Sequence, residues 1–222
     1  MGSQTILDLI ASTIVFGTLL VIGIRLNSNS SENMQKIRSD VTVQQNLVAL
    51  VSTLEYDLRK LGYSTSPDSL DSREAILKAD TSEIKFLTDY DRDGDIDQIW
   101  YKLGETTGAD APEWTPNPRD RYLFRTINDE TEQKVYLGVT VFRLRYFNTQ
   151  KDTLFPPFDG IKGTSNPTSE IYTIEISVMC ESWVATQVDS SQFGLGATGD
   201  KEVYQTAYWR QIRLAAKNLR NR

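Results

Sequence analysis

The chain has 222 residues, a formal net charge of −6, one cysteine and no histidine. Net acidity argues against a nucleic-acid partner, because backbone binding takes basic patches. Without histidine the usual general base and the commonest zinc ligand are gone, and no glycine-rich phosphate loop, serine-centred elbow or paired-cysteine motif replaces them. Carboxylates are plentiful, but no spacing singles out a catalytic pair, so the sequence reads as that of a protein that is not an enzyme. The single Cys180 rules out an intrachain disulfide and reads as a small core residue within an apolar strand.

In chain order, the first element is an apolar run, Ile6 to Ile24, that passes without a turn signal into an amphipathic stretch reaching about Tyr63. No charged side chain lies between Asp8 and Arg25, and those sixteen residues would span ~24 Å as a helix. That is slightly short for a bilayer crossing, and Thr5, Ile6 and Leu7 extend it. A secretory signal peptide needs a basic leader and a small-residue cleavage site, and neither is present here. Arg25, Lys36 and Arg38 all follow the apolar run, which by the positive-inside tendency would place the large domain in the cytoplasm. A short basic leader, since removed, would resolve that oddity.

From Met34 the apolar positions are Ile37, Val41, Leu47, Val48, Val51, Leu54, Leu58 and Leu61. The last five fall on one stripe at helical spacing, with Glu55, Asp57, Arg59 and Lys60 off it. Gly62 closes the helix and Pro67 follows in the loop. Asn27 to Ser31 is the weak joint, since Ser and Asn compete for backbone hydrogen bonds. Gly17 and Gly23 weaken the helix further upstream. The expected organisation is therefore a helical segment 1–63, divided into an apolar 1–26 and an amphipathic 27–63, followed by a globular domain 64–222.

After Ser64 the periodicity becomes alternating. Strands are expected at Glu83–Thr88, Ile96–Leu103, Tyr122–Ile127, Val139–Asn148, Glu170–Trp183 and Val203–Leu214. Phe142, Leu144 and Tyr146 alternate with Arg143 and Arg145, and Ile174, Ile176 and Val178 with Glu175 and Ser177. One buried and one wet face point to an antiparallel sheet covered on one side. The class is thus α+β, a long N-terminal helix packed on an antiparallel sheet. Long loops are expected at Gly104–Asp120, Thr149–Ser169 and Ala185–Asp200. The run Arg210–Arg222 reads as a last strand with a solvated basic tail.

The sharpest local chemistry is Asp89-Tyr90-Asp91-Arg92-Asp93-Gly94-Asp95-Ile96-Asp97. Two unit charges ~5 Å apart at an effective dielectric of ~20 repel by roughly 3 kcal/mol before screening, and a hard divalent cation removes that cost. The pattern matches the first nine positions of an EF-hand type calcium loop. Asp89, Asp91 and Asp93 would give carboxylate oxygens, Gly94 the sharp turn, Asp95 its backbone carbonyl, and Asp97 a direct or water-mediated contact. The twelfth position, a bidentate Glu in that motif, is Trp100, and the flanks read as strands. The expectation is a calcium-clamped hairpin of weak affinity, ~10⁻⁴ to 10⁻³ M; the alternative is an acidic Asp-Gly turn without a metal.

Three stretches carry a family resemblance: Leu54-Glu55-Tyr56-Asp57-Leu58-Arg59-Lys60-Leu61-Gly62-Tyr63, the Ile84–Tyr101 hairpin with its acidic loop, and Leu123-Phe124-Arg125 followed by Gly138-Val139 and Phe142-Arg143-Leu144-Arg145-Tyr146. With the apolar N-terminal helix they resemble type IV pilins and pseudopilins, in particular the J/W-type minor pilins. The family's cleavage Gly, Phe and fifth-position Glu are absent: if Ser3 starts the mature chain, Leu7 is fifth and Asp8 comes one place late. The resemblance implies that Asp8 neutralises a neighbour's N-terminal amine, the alternative being a carboxylate favourably placed near a helix N-terminus, and that Ile10, Ile14, Phe16, Leu20 and Ile24 take part in assembly. It implies a subunit held in the inner membrane with its assembly machinery, then extracted into an extracellular filament by self-association. The alternatives are a minor pseudopilin of a pilus or type II secretion system, and a membrane-anchored binding domain that never polymerises. In the last reading Trp114, Phe155, Phe158 and Phe193 on the long loops would meet a ligand.

Overall fold

The computed structural model describes residues 2–66, 70, 71, 74–108, 111, 112, 115, 117–128, 130–159, 168–182, 186–188, 201–203 and 207–215. Helix α1 runs from Gly2 to Arg59 and is helical through Asn27–Ser31, so the expected weak joint does not interrupt it. The chain divides into two compact units, Met1–Val41 and Thr42–Arg222.

In the second unit the helix residues Val43, Leu47, Leu50, Val51, Leu54 and Leu58 are buried in one cluster with the sheet. Two sequence expectations fail on this stripe. Val48 is 53% exposed, because one residue past Leu47 is a rotation of about 100° on a helix of 3.6 residues per turn. Asp57, expected on the wet side, is fully buried. Its Oδ2 accepts hydrogen bonds from Arg125 Nε at 2.8 Å and from the Tyr101 hydroxyl. A buried carboxylate is tolerable only with such partners.

The chain turns after Arg59 and reverses at Gly62, whose φ of +71° is a left-handed conformation that suits glycine. The Gly62 N–H donates to Leu87 O at 2.9 Å and the Asp89 N–H to Tyr63 O at 2.8 Å. The Thr88 hydroxyl donates to Lys60 O at 2.9 Å. The helix end is thereby laced to the strand end that opens the aspartate loop.

The strands are β1 (Ile76–Ala79), β2 (Glu83–Thr88), β3 (Asp97–Leu103), β4 (Arg121–Ile127), β5 (Gln133–Phe147), β6 (Thr153–Leu154), β7 (Phe158–Asp159), β8 (Thr173–Glu181), β9 (Thr186–Val188), β10 (Lys201–Val203) and β11 (Ala207–Leu214). Nine of them form one sheet in the order β11-β8-β5-β4-β3-β2-β1-β7 with β6 beside β5, while β9 and β10 pair separately. All pairings are antiparallel.

Several strand expectations need correction. Strand β5 begins at Gln133 rather than Val139, since Gly138 (φ +66°) makes a bulge and not a stop. A Cβ on Gly138 would lie 2.5 Å from Glu181 O. Strand β8 is shorter than expected because Thr168–Glu170 forms a 3₁₀ turn. Part of the expected loop Thr149–Ser169 is strand: β6 extends the β5 turn and β7 pairs with β1. Trp114, Trp183, Phe193 and the tail 216–222 lie outside the described residues.

The expected alternation holds along the second half of β5 and in part along β8, whereas β4 is buried at five consecutive positions, Tyr122–Thr126. Phe142, Leu144, Tyr146, Ile174, Ile176 and Val178 are buried, and Arg143 and Arg145 are exposed. Glu175, on the outer face, is buried under flanking cations: Arg213 Nη2 lies 2.7 Å and Arg145 Nη1 3.2 Å from its carboxylate. Burial works against its charge, but these partners and Gln211 hold its pKa below the ordinary value. Cys180 is buried, and burial pushes its thiol up to about 12, as befits an inert core residue.

Candidate metal centre and assembly surface

The aspartate loop joins β2 to β3. Two of its residues, Arg92 (φ +70°) and Gly94 (φ +98°), are left-handed, so the backbone coils tightly enough to bring distant carboxylates together. Short side-chain bridges set its shape: Asp91 Oδ1 accepts from Asp93 N at 3.3 Å and Asp93 Oδ1 from Asp95 N at 2.9 Å. Such Asx bridges are the local reason this sequence turns here. Asp97 Oδ2 accepts from Tyr90 N at 2.8 Å, and Asp97 Oδ1 from Asn128 Nδ2 at 2.8 Å.

Asp89, Asp91 and Asp97 each bring one carboxylate oxygen within 4.8 Å of the others. Oxygens bound to one calcium ion at 2.3–2.6 Å lie at most about 5 Å apart, so these three fit a single hard cation. Asp93 and Asp95 are not in that triad; their side chains are on the exposed outer part of the loop. Asp89 is fully buried, and its Oδ1 has no hydrogen-bond partner. Its Oδ2 accepts from the Thr65 hydroxyl and, at 3.1 Å, from the Thr65 N–H. The Thr65 hydroxyl above all, helped against the desolvation by Thr65, Arg92 and Gly94 backbone N–H groups, keeps Asp89 below the ordinary carboxylate value. A buried carboxylate held below its ordinary pKa, with one oxygen outside any well-formed hydrogen bond, is a ligand that suits calcium. Thr65 and Asn128, which brace this triad from 24 and 31 residues away, carry no sequence signal that marks them.

In the first unit, the apolar part of α1 is exposed on every side. At about 100° per residue, Ile10, Ile14, Leu20 and Ile24 face one way and Val15, Leu19 and Ile22 the other, and all are at least 47% exposed. Phe16, 67% exposed, lies beside Leu20 on that circle, and Asp8 is exposed at the start of the run. By length and composition α1 suffices to cross a membrane. Its hydroxyls are satisfied within the helix: Ser12 donates to Leu9 O at 2.9 Å, Thr13 to Ile10 O at 2.8 Å and Thr18 to Val15 O at 2.8 Å. Among the described residues, the apolar run Ile6–Ile24 therefore shows no unpaired hydroxyl to an apolar neighbour. Phe155 is 77% exposed, whereas Phe158 is buried in the core and is not available to a ligand.

No protein-family model matches the chain, and no curated protein matches it. Among solved structures it is similar to a type IV-like pilin from Thermus thermophilus, with 11% identity, a TM-score of 0.45, and coverage of 79% of this chain and 97% of that one. The architecture, one long apolar N-terminal helix followed by an antiparallel sheet, is the one expected of the type IV pilin class that the sequence resembles.

Proposed function

We propose that this chain is a structural subunit of an extracellular type IV pilus-like filament. The apolar part of α1 holds it in the inner membrane first, and copies of the same surface bury it later. The observation that carries this reading is the all-round exposure of Ile6–Leu26. Each large apolar side chain moved from water to lipid or a neighbour contributes ~1.5–3 kcal/mol, so the segment demands such a partner. A head-to-tail contact that does not close yields a filament. In the same reading, Asp8 faces a neighbour's N-terminal amine.

The aspartate triad supports a second part of the proposal: calcium held by Asp89, Asp91 and Asp97 clamps the β2–β3 hairpin. The ion would neutralise three converging carboxylates and join the loop to the segment after α1 through Asp89 and Thr65.

Electron microscopy of filaments sheared from cells, with mass spectrometry of their components, tests the assembly reading. This chain as the main component supports it. A few copies per filament would instead indicate the tip role of a minor pseudopilin. A chain found only as a detergent-dispersed monomer, never in filaments, would refute polymerisation.

A further inference from the structure

Tyr90 stands in the chain between two of the three converging carboxylates, Asp89 and Asp91, and its N–H donates to the third, Asp97 Oδ2, at 2.8 Å. The same residue is tied to the end of α1. Its carbonyl accepts from Lys60 Nζ at 2.8 Å, and that ammonium lies 4.7 Å from the centre of the Tyr90 ring and 4.3 Å from that of Tyr56. One cation is thus held against a ring from the helix and a ring from the aspartate loop. The Arg125 guanidinium lies 5.4 Å from the Tyr90 ring and pairs with Asp57 at 2.8 Å. Tyr56 and Asp57 in the last turn of α1, and Lys60 just past it, therefore all reach one loop residue, Asp57 through Arg125.

These contacts depend on the charge of the loop. Carboxylate oxygens that converge to within 4.8 Å repel one another. Asp89 is buried and braced by Thr65, so Asp91 and Asp97, exposed and half-buried, are the ones that give way. Tyr90 is bonded to Asp91 and hydrogen-bonded to Asp97, so their movement draws its carbonyl and ring from Lys60 and Arg125. A divalent cation on the triad removes the repulsion and keeps Tyr90 where those cations hold it.

Resting on the calcium reading above, we propose that Tyr90 relays occupancy of the aspartate triad to α1: calcium on Asp89, Asp91 and Asp97 fixes the end of the helix to the sheet, and its loss loosens that end. Such coupling is reciprocal, so the Lys60 contacts with Tyr90 must in turn strengthen calcium binding. The sign is opposite to that of simple electrostatics. As a nearby cation Lys60 opposes a second cation, and its removal on that ground alone would tighten calcium binding. As part of the relay, its removal weakens it.

Two measurements on the full chain test this, in dodecyl maltoside micelles after removal of divalent ions with a chelator. The first is amide hydrogen exchange without calcium chloride and with it at about ten times its dissociation constant. Calcium is expected to slow exchange at residues 56–61 about fivefold or more beyond any slowing at residues 43–47, which share the helix and core but not the relay. The second is titration calorimetry with calcium chloride. Lys60→Met is expected to weaken binding about fivefold or more and to remove the extra slowing. Tyr56→Leu changes no charge, stands at a position 55% exposed, and should weaken binding about twofold or more. Thermal melts identify a variant that unfolds, and if Lys60→Met does so, Tyr56→Leu decides. Calcium heat in the parent without the extra slowing, or affinity unchanged or tightened in the deciding variant, overturns the relay and leaves the calcium clamp standing. No calcium heat in the parent overturns both.

Discussion

Asp120 offers the most quantitative test of how this domain is held together. It is buried at 3% exposure and neither carboxylate oxygen makes a well-formed hydrogen bond. Burial first, then the charge of Glu181, raises its pKa from 3.8 to about 6, with Thr115 and Arg119 opposing in part. The sign follows directly. A carboxyl whose folded pKa is raised binds its proton more tightly when folded, so the fold is relatively favoured below the unfolded value and loses that advantage as pH rises to about 6. Two pKa units correspond to about 3 kcal/mol at ~1.4 kcal/mol per unit. Because burial is the main cause, local relaxation and water penetration around the ionised carboxylate reduce this to about 1–2 kcal/mol. Asp120→Asn removes the ionisation while nearly preserving shape. It should stabilise the chain at pH 7.5 by that amount, about 2–8 °C in melting temperature, and leave stability at pH 4 unchanged. Urea denaturation followed by tryptophan fluorescence, from pH 4 to pH 8 in a constant detergent, reads the difference. A gain that is the same at all pH values, or absent at pH 7.5, would refute the reasoning.

Three further outcomes follow from other contacts. Gly138→Ala should destabilise by about 2–4 kcal/mol, since a left-handed non-glycine costs about 1–2 kcal/mol and the new Cβ would meet Glu181 O at 2.5 Å; a Gly138→Ala variant as stable as the parent in urea would show that the bulge is not there. Arg125→Met leaves Asp57 as an uncompensated buried charge and should cost about 3–5 kcal/mol, whereas Arg125→Met with Asp57→Leu should recover most of it; a double variant no better than the single one would mean the pair is not the buried unit described above. Calcium at ten times its dissociation constant should add about 1.4 kcal/mol to stability, seen as a melting shift with heat released or absorbed in titration calorimetry. Asp97→Asn should abolish that shift and Asp95→Asn should largely keep it, because Asp95 lies outside the triad; an absence of heat and shift in the parent at millimolar calcium would sink the clamp.

Much of the fold was readable before any coordinates. Strand β2 falls on its expected residues, and the expected and observed β3, β4 and β11 share their C-terminal ends. In β2 and β3 the alternating burial is a local property that a half-buried strand imposes directly, whereas β4 is buried at five consecutive positions. Boundaries failed where a tertiary contact decided them: β5 begins at Gln133 and not at Val139, running through the bulge at Gly138, and β7 is two residues that pair with a strand about 80 residues away. The acidic turn between β2 and β3 was readable because Asp and Gly favour such turns, but which aspartates converge was not. That depends on the path of the loop, which has left-handed residues at Arg92 and Gly94 and brings Asp89, Asp91 and Asp97 together.

By itself, then, the sequence determined an apolar surface that must be covered, an acidic loop suited to a hard cation, and a one-sided sheet. Each is a short-range pattern of side-chain polarity, and short-range patterns survive in one dimension. Only the tertiary structure decided that Asp57 is core rather than surface. Its partners Tyr101 and Arg125 stand 44 and 68 residues away, and nothing in the helix says that they will arrive. Such a pair is built where elements meet, and sequence neighbours do not record such meetings.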